Sequence, residues 1–391
     1  MKPYYSDKTA VVGIGQTEFS KHSGRSELQL AGEAVAAAVA DAGLTPADID
    51  GAVTFAMDVN DELAVMRCAG IPSLRFTART RGGGGGACAT VQLASAAVAS
   101  GAADAVVVYR AFNERSGRRF GQPISENNKS RVVPPGWNWY LPFGLDTPAK
   151  VYSLWYQRYM HRYGVTNVDF GLYPVVARRH AATNPNAFYY QQPLTLEEHQ
   201  QSRWIVEPIL RKLDCCQESD GGVALVVTTP ERARDLRQKP ATIVAAAQGA
   251  ADDGELMTSY YRPDITGLPE MAVVAKRLWA ASGLGPRDVQ TAFLYDHFTP
   301  FVLMQLEELG FCGRGDAKDW ATIERLSLGG ELPINTSGGL LGEAYIHGMN
   351  GITEAVRQIR GTSVNQVPDV EHVLVTAGTG CPTSGLILGR G

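Results

Sequence analysis

The 391-residue chain lacks an excess of one charge, a long apolar run and a signal sequence. Its 36 Lys and Arg residues nearly balance 40 Asp and Glu residues, and no basic stretch of the kind that binds nucleic acid is present. The apolar stretches are rich in alanine and are broken by Gly, Ser or charged residues before they reach the roughly 20 residues that a membrane span needs. The first residues lead directly into an apolar strand pattern. We therefore expect a cytoplasmic protein that binds neither nucleic acid nor membranes.

Cysteine is also scarce and carries no recognisable metal-binding spacing. There is no CxxC pair and no His/Cys ligand pattern. This absence argues against a structural zinc site and predicts that the thiols are reduced and buried. The six cysteines are Cys68, Cys88, Cys215, Cys216, Cys312 and Cys381.

The chain contains one internal repeat. A helix-like segment precedes GLTPADIDGAVTF at Gly43, and another precedes GLGPRDVQTAFLY at Gly283. A second pair of segments, one starting from the five-glycine run and one from GGLLGEAYIHG, reads as a glycine-rich turn, a helix and a strand. Helices that alternate with apolar strands predict an α/β fold whose parallel-type sheet is covered by helices. The repeat predicts two such halves.

A segment of different composition separates the halves. It is rich in aromatic residues and turns, which is typical of an inserted loop domain. We expect most of these aromatics to fill a small core. The predicted division is residues 1–113 and 214–240 for the N-terminal half, 114–213 for the insertion and 241–391 for the C-terminal half.

The glycine run from Thr80 to Thr90 does not predict a nucleotide-binding loop. No Lys-Ser/Thr pair follows the glycines, and no GxGxxG spacing with a later acidic residue is present. An alanine-rich helix follows instead. Consecutive N–H groups at a helix start can hold an oxygen that becomes negative during a reaction.

Several motifs together carry a resemblance to a known family. In chain order they are KTAVVGIGQTEF, RYGVTN, NPNA, LDCCQESDGG, LGFCGRG, INTSGGLLGEA and AGTG. Over nearly its full length the chain resembles the thiolase superfamily, in its lipid-transfer-protein branch. The resemblance implies a thiolase fold, in which two pseudo-symmetric βαβ halves form five layers (αβαβα) and an inserted loop domain covers the active site and contacts coenzyme A.

The chain departs from the thiolase pattern at each catalytic position. Gly84 stands where thiolases carry the nucleophilic cysteine, and Thr376 stands at the acid/base cysteine. Tyr295, in LYDHFT, and Tyr345, in GEAYIHG, stand where thiolases carry histidines. Acyl transfer needs a thiolate or an equivalent nucleophile, so the loss of this cysteine argues against that chemistry. Two tyrosines at both acid/base positions indicate that Tyr295 and Tyr345 are the catalytic pair.

Two displaced thiols remain as alternatives. Cys88 would lie one turn into the helix and face another way, and Cys381 is more typical of packing. We expect oxyanion or substrate binding by the N–H groups of four glycines. They are Gly84, Gly85, Gly378 and Gly380.

Two histidines adjoin the tyrosines and are supporting candidates. His297 shares a strand face with Tyr295, so it either orients the phenol or is structural. His347 follows Tyr345 by two residues. Asp296 points to the opposite face and is expected to be a structural hydrogen-bond acceptor.

Without a nucleophile, the scaffold can still stabilise the enolate of an acyl-CoA. A retro-aldol cleavage of a β-hydroxyacyl-CoA needs only an enolate, a base and an acid, and it yields a ketone and a shorter acyl-CoA. One tyrosine would remove the hydroxyl proton and the other would protonate the enolate carbon, with their roles left open. No lysine or metal-ligand cluster accompanies the motifs, so neither a Schiff base nor a divalent ion is expected. Coenzyme A would enter only as part of the substrate and product, without a separate cofactor.

The resemblance is strongest to the actinobacterial steroid side-chain aldolases that lack the thiolase cysteine. It implies cleavage of a steroid side-chain CoA thioester to a ketosteroid and propionyl-CoA during cholesterol catabolism. It also implies a homodimer that joins a separate acyl-CoA-binding OB-fold subunit, with zinc as an optional constituent, in a heterotetramer. Two alternatives stay open, namely a thiolase-type acyltransferase that uses a displaced cysteine and a non-catalytic carrier of acyl-CoA or lipid.

Overall fold

A large mixed sheet organises the chain. The computed structural model describes residues 3–123, 135–378 and 383–391. The strands in these residues are β1 (Ala10–Gln16), β2 (Gly51–Phe55), β3 (Phe76–Thr80), β4 (Ala105–Asn113), β5 (Trp204–Val206), β6 (Leu210–Arg211), β7 (Asp220–Thr228), β8 (Ala241–Gly249), β9 (Thr291–Phe293), β10 (His372–Thr376) and β11 (Thr383–Arg390). Nine of them form one sheet in the order β3-β2-β4-β7-β1-β8-β11-β10-β9, and β5 pairs with β6.

The helices surround and separate the two parts of this sheet. Within the described ranges they are α1 (Glu27–Ala42), α2 (Glu62–Cys68), α3 (Ala87–Ala99), α4 (Pro148–Tyr163), α5 (Asn167–Thr183), α6 (Leu196–Gln201), α7 (Pro230–Ala233), α8 (Pro269–Ser282), α9 (Thr299–Glu308), α10 (Ala317–Trp320), α11 (Ile323–Leu326), α12 (Gly339–Gly342) and α13 (Met349–Arg360). Within those same ranges, none is long and apolar enough to cross a membrane.

The sheet shows the predicted repeat. The order β2-β4-β7-β1 in the first half corresponds to β9-β10-β11-β8 in the second, and only a two-residue pairing between β1 and β8 joins the halves. Gly43 ends α1 and Gly283 ends α8, each in the left-handed conformation that favours glycine. A short 3-10 turn that begins with proline follows each glycine and leads into β2 or β9. The repeat inferred from the sequence is therefore confirmed.

The packing forms five layers. Helix α1 covers the outer face of the first half, and α8 covers the outer face of the second. Helices α3 and α13 each pack against strands of both halves. One buried apolar cluster lies in this central layer, and two others lie beneath the outer helices. The αβαβα arrangement that the resemblance implied is confirmed.

The sheet is mixed, whereas the sequence pattern predicted a parallel-type sheet. Strands β3, β2 and β4 run parallel, as do β9 and β10, but β7 and β11 run antiparallel to their neighbours. Only residues 377–382 separate β10 from β11, and so short a connection permits only an antiparallel pair. β7 is the corresponding strand of the first half, although a far longer segment separates it from β4.

The segment between β4 and β7 contributes a helical wall with an aromatic core. Helices α4, α5 and α6 and the β5–β6 hairpin lie in it. Tyr152, Trp155 and Tyr156 of α4 are buried against Phe298 and Phe301 at the start of α9. Seven of the 16 aromatic residues in this segment are buried, fewer than the expected majority. Their packing sets this wall beside the residues that follow β9.

Candidate active site

The backbone that follows β9 is clamped at Tyr295. The Tyr295 N–H donates to Thr376 Oγ1 at 3.0 Å, and the Thr376 hydroxyl donates to Gln305 Oε1 at 2.6 Å. Gln305 Nε2 in turn donates to the Tyr295 carbonyl at 2.8 Å. The Thr376 hydroxyl, at the position where the thiolase pattern has an acid/base cysteine, thus fixes the Tyr295 backbone.

The two predicted catalytic tyrosines meet. The phenol oxygens of Tyr295 and Tyr345 lie 2.9 Å apart and share a hydrogen bond. The Tyr345 N–H donates to Ser219 Oγ at 3.2 Å, which fixes its backbone. Tyr345, 8% exposed, lines a cavity of about 510 Å³, whereas Tyr295 is 2% exposed and lies behind it. The pair therefore extends from the cavity wall into the core.

Gly84 and Tyr295 fit each other closely. A Cβ atom at Gly84 would lie 1.8 Å from the Tyr295 hydroxyl oxygen, which no structure tolerates. Cβ atoms at Gly378 and Gly348 would lie 2.8 Å and 3.0 Å from atoms of the same ring. Three glycines thus shape the space around the phenol. The hydroxyl occupies the space that a side chain at position 84 would need.

The four glycines proposed for oxyanion binding differ in availability. Gly84 and Gly85 begin a 3-10 turn that continues into α3, so helix geometry leaves their N–H groups without an intrahelical acceptor. The Gly378 N–H already donates to the Gly84 carbonyl at 3.0 Å. Its proposed role therefore does not fit this arrangement. Gly380 lies outside the described residues.

Burial keeps both phenols neutral. It raises the pKa of Tyr295 and of Tyr345 well above the ordinary value for tyrosine. The hydrogen bond with Tyr345 partly opposes the rise in the Tyr295 pKa, because the Tyr345 hydroxyl can donate to the ionised form of Tyr295. Ionisation of either phenol is therefore costly. Proton transfer costs less if a phenol accepts one proton while it gives up another.

His297 contacts Tyr295 through its ring. The ring centroids lie 5.0 Å apart, and the imidazole also stacks on Phe301 at 4.6 Å. The two rings lie together as predicted, but β9 ends at Phe293, so both residues lie beyond the strand rather than on a strand face. Burial lowers the pKa of His297 to about 3, so the ring is neutral, and Nδ1 has no hydrogen-bond partner among residues 3–123, 135–378 and 383–391. The ring packs against the phenol rather than bonding its hydroxyl.

His347 is held by a buried ion pair. Arg110 Nε donates to His347 Nδ1 at 3.2 Å, and Arg110 Nη1 pairs with Asp58 Oδ2 at 2.9 Å. Burial and the Arg110 charge lower the pKa of His347 well below its ordinary value. The neutral ring packs beside Tyr345 with a centroid separation of 5.3 Å. His347 therefore supports the wall behind Tyr345.

Replacing Asp58 with alanine is expected to lower the free energy of unfolding by about 3–5 kcal/mol, because it leaves the buried Arg110 charge unpaired. Urea unfolding measures the change. The control is Glu331→Ala, which breaks an exposed pair with Arg325 and should cost less than about 1 kcal/mol. Equal losses in the two variants would contradict the assigned role of Asp58.

Asp296 faces away from the cavity, as expected. Its carboxylate accepts from the Tyr173 hydroxyl at 2.7 Å and from the N–H groups of Leu340 and Leu341 at 2.8 and 3.2 Å. Burial raises the pKa of Asp296 to about 6 despite these bonds. The prediction of a structural acceptor is confirmed.

Glu114 and the basic rim of the cavity were not predicted from the sequence. Glu114 follows β4 directly, is 2% exposed and lines the cavity beside Tyr345. A polar residue directly after a buried strand is a signal that could have indicated it, since ligands of α/β proteins bind at strand carboxyl ends. Cationic side chains that the sequence analysis did not single out also line the cavity. They are Lys21, Arg115, Arg119, Arg203 and Lys212.

The described cysteines are poorly suited to nucleophilic chemistry. Cys88 is buried in α3 with Sγ 3.6 Å from the Val375 carbonyl, and burial raises its pKa. Cys215 and Cys216 line the cavity, but burial raises their pKa values too. Cys68 is exposed, contrary to the expectation of burial, and Cys381 lies outside the described residues. In the part of the chain that the structure describes, no cluster of metal-ligand side chains is found.

Comparison with known proteins identifies close relatives. Residues 250–390 match the family described as thiolase C-terminal domain-like. The chain is 62% identical to 17-hydroxy-3-oxo-4-pregnene-20-carboxyl-CoA lyase of Mycobacterium tuberculosis, over 98% of this chain and 100% of that protein. It is also 62% identical to a steroid side-chain-cleaving aldolase of Thermomonospora curvata, over 97% of each. A solved structure described as Ltp2-ChsH2(DUF35) aldolase superposes with a TM-score of 0.94 at 60% identity, covering 99% of both chains.

Proposed function

The chain belongs to the thiolase superfamily, among the steroid side-chain-cleaving aldolases, and we propose that it performs a retro-aldol cleavage of a steroid side-chain CoA thioester. The substrate would be a β-hydroxyacyl-CoA whose hydroxyl is tertiary, as in the compound for which the mycobacterial relative is named. The products would be a ketosteroid and propionyl-CoA. The enzyme is accordingly a carbon–carbon lyase.

The observation that carries this proposal is the hydrogen-bonded phenol pair above Gly84. One phenol takes the proton of the tertiary hydroxyl as the adjacent carbon–carbon bond breaks. The electron pair of that bond moves to the thioester as an enolate, and the other phenol protonates the enolate carbon. Because Tyr345 lines the cavity and Tyr295 lies behind it, direct contact with Tyr295 requires the reacting carbon to enter deeper than the described cavity. Because the two oxygens lie 2.9 Å apart, the shared proton can pass between them while both phenols stay neutral. This route suits their raised pKa values.

The cavity supports an acyl-CoA as the substrate. Its volume of about 510 Å³ is that of a small-molecule site, and its walls include Phe120, Phe188 and Phe298. The cationic rim suits the phosphate groups of coenzyme A. The reaction balances with coenzyme A present only in substrate and product, so no separate cofactor is needed.

The assembly is proposed by analogy. The solved structure with a TM-score of 0.94 is described as an aldolase of two components, one of them a DUF35 protein. We propose that this chain forms a cytoplasmic homodimer and binds one OB-fold subunit of that kind per chain, which gives a heterotetramer. Zinc, where present, would belong to the subunit. The process served would be cholesterol catabolism.

Turnover is the direct test. The purified chain, with and without a co-produced DUF35-type subunit, is incubated with a steroid β-hydroxyacyl-CoA that carries a tertiary alcohol. Chromatography is expected to show ketosteroid and propionyl-CoA in equal amounts. Iodoacetamide should leave the rate unchanged, since the described site uses no thiol.

Two outcomes would contradict the proposal. Inactivation by iodoacetamide with protection by substrate, together with an acylated cysteine in the mass spectrum, would indicate a thiolase. Saturable binding of the CoA ester without product in either preparation would indicate a carrier.

A further inference from the structure

Glu114 is fixed beside the phenol pair by the register of the sheet. Asn113, the last residue of β4, pairs with Asp220, the first residue of β7, so Glu114 lies next to Ser219. The Ser219 N–H acts to lower the pKa of the Glu114 carboxyl, and Ser219 Oγ accepts from the Tyr345 N–H. Ser219 therefore adjoins Glu114 and also holds the backbone of the cavity-facing tyrosine.

The carboxyl is incompletely satisfied. Across the described ranges, Glu114 Oε2 has no hydrogen-bond partner although the atom is buried. An unpaired buried polar atom destabilises a fold, so native proteins keep few of them, often at functional sites. The residue lines the same cavity as Tyr345. A polar group of a bound molecule could therefore complete its hydrogen bonding.

The surroundings of Glu114 favour its neutral form. Burial is the largest influence on its pKa, and the nearby Glu218 charge acts in the same direction. The Ser219 N–H, Lys21 and Arg110 act against them, and the pKa is still raised well above its ordinary value. A carboxyl held neutral by an apolar site can donate a hydrogen bond to a developing oxyanion.

We propose that Glu114 donates a hydrogen bond from its protonated carboxyl to the thioester oxygen of the substrate as the enolate forms. This inference rests on the proposed function. In the proposed reaction one phenol accepts the hydroxyl proton and the other protonates the enolate carbon. The thioester oxygen therefore still needs hydrogen-bond donors. Because the Gly378 N–H is already bonded to Gly84, a side-chain donor would supplement the N–H groups of the glycine turn. Glu114 would thus be a catalytic residue outside the set found in the sequence.

Two substitutions at Glu114 test the role of the donor. Glu114→Leu removes it and is expected to lower kcat about a hundredfold, with a smaller change in KM, as for loss of an oxyanion donor. Glu114→Gln keeps an N–H donor and should retain activity within about tenfold. The control is Glu307→Gln, at a buried carboxyl bonded to the Tyr159 hydroxyl away from the cavity, and it should leave kcat unchanged.

The pH profile separates a donor from a purely structural group. Only the protonated carboxyl donates, so the activity of the unaltered enzyme should fall as pH rises through the raised pKa of Glu114. In Glu114→Gln this fall should move to higher pH, where other groups ionise. This measurement still decides the matter if Glu114→Leu fails to fold.

The results distinguish this inference from the proposed function. Absence of cleavage by the unaltered enzyme would end both. Cleavage by the unaltered enzyme, with Glu114→Leu within threefold of it or with the Glu114→Gln profile unshifted, would overturn only the role of Glu114. A Glu114→Gln variant as inactive as Glu114→Leu would also overturn it, because it would indicate that the carboxylate acts as a base.

Discussion

Tyr345→Phe and Tyr295→Phe are each expected to lower kcat by about a hundredfold or more, the usual scale for loss of a positioned proton-transfer group. Phenylalanine keeps the ring that packs in the core and removes only the hydroxyl. In either variant the 2.9 Å hydrogen bond is lost, and a proton can no longer pass from one phenol to the other. Steady-state kinetics on the steroid CoA ester measure the effect, with a larger loss expected in kcat than in KM.

The chain offers a matched control for this experiment. Tyr156 is a fully buried tyrosine whose hydroxyl has no hydrogen-bond partner in the described part of the chain. Tyr156→Phe removes the same atom from a core position and should leave kcat within about twofold, because no proton-transfer group is lost. Losses below tenfold in both Tyr295→Phe and Tyr345→Phe would show that the phenols are bystanders.

The double variant adds a further test of the pair. If the two phenols form one proton path, removal of either interrupts it, and Tyr295→Phe/Tyr345→Phe should be little worse than the more impaired single variant. Multiplicative losses would instead indicate two independent groups. The comparison therefore examines the hydrogen bond itself rather than the importance of each residue.

The sequence indicated Tyr295 and Tyr345 as candidates because both stand at positions where the matching thiolase motifs carry histidines. It could not show that the hydroxyls touch, because Tyr295 and Tyr345 come from different elements and their contact depends on tertiary packing. The alternation rule placed Asp296 correctly, since that rule is local. Sequence reasoning could not show that the Gly378 N–H donates to the Gly84 carbonyl, because this bond joins two turns that are distant in the chain.

Glu114 could not be predicted as a site residue for the same reason, namely that its environment depends on tertiary packing. Its position after an apolar strand was visible, but its burial and its place beside Ser219 depend on the pairing of β4 with β7 across the whole inserted segment. The fold class could be predicted because the repeat and the alternation of helices and strands are regular. The mixed direction of the strands could not, because it depends on connections rather than on apolar periodicity.

Gly84→Ala is expected to lower kcat about a hundredfold and to destabilise the fold by about 1–3 kcal/mol, the range for overpacking a core. The added Cβ would lie 1.8 Å from the Tyr295 hydroxyl oxygen. The phenol has little room to move, because Gly378 and Gly348 border its ring and Thr376 holds its backbone. The ring would have to leave its position and would lose the bond to Tyr345. Kinetics and urea unfolding measure the two effects.

The cause of that loss can be isolated with a control and a second substitution. Gly285→Ala adds a Cβ whose nearest contact is 3.7 Å, at an extended backbone position far from the site, and should be neutral. In Gly84→Ala/Tyr295→Ala the collision is gone, so the loss of stability caused by Gly84→Ala should be smaller than in the tyrosine-containing chain. Equal losses in both backgrounds would place the strain elsewhere.

Gly84→Cys should likewise fail to restore acyl transfer, because the phenol fills the space that the thiol would need.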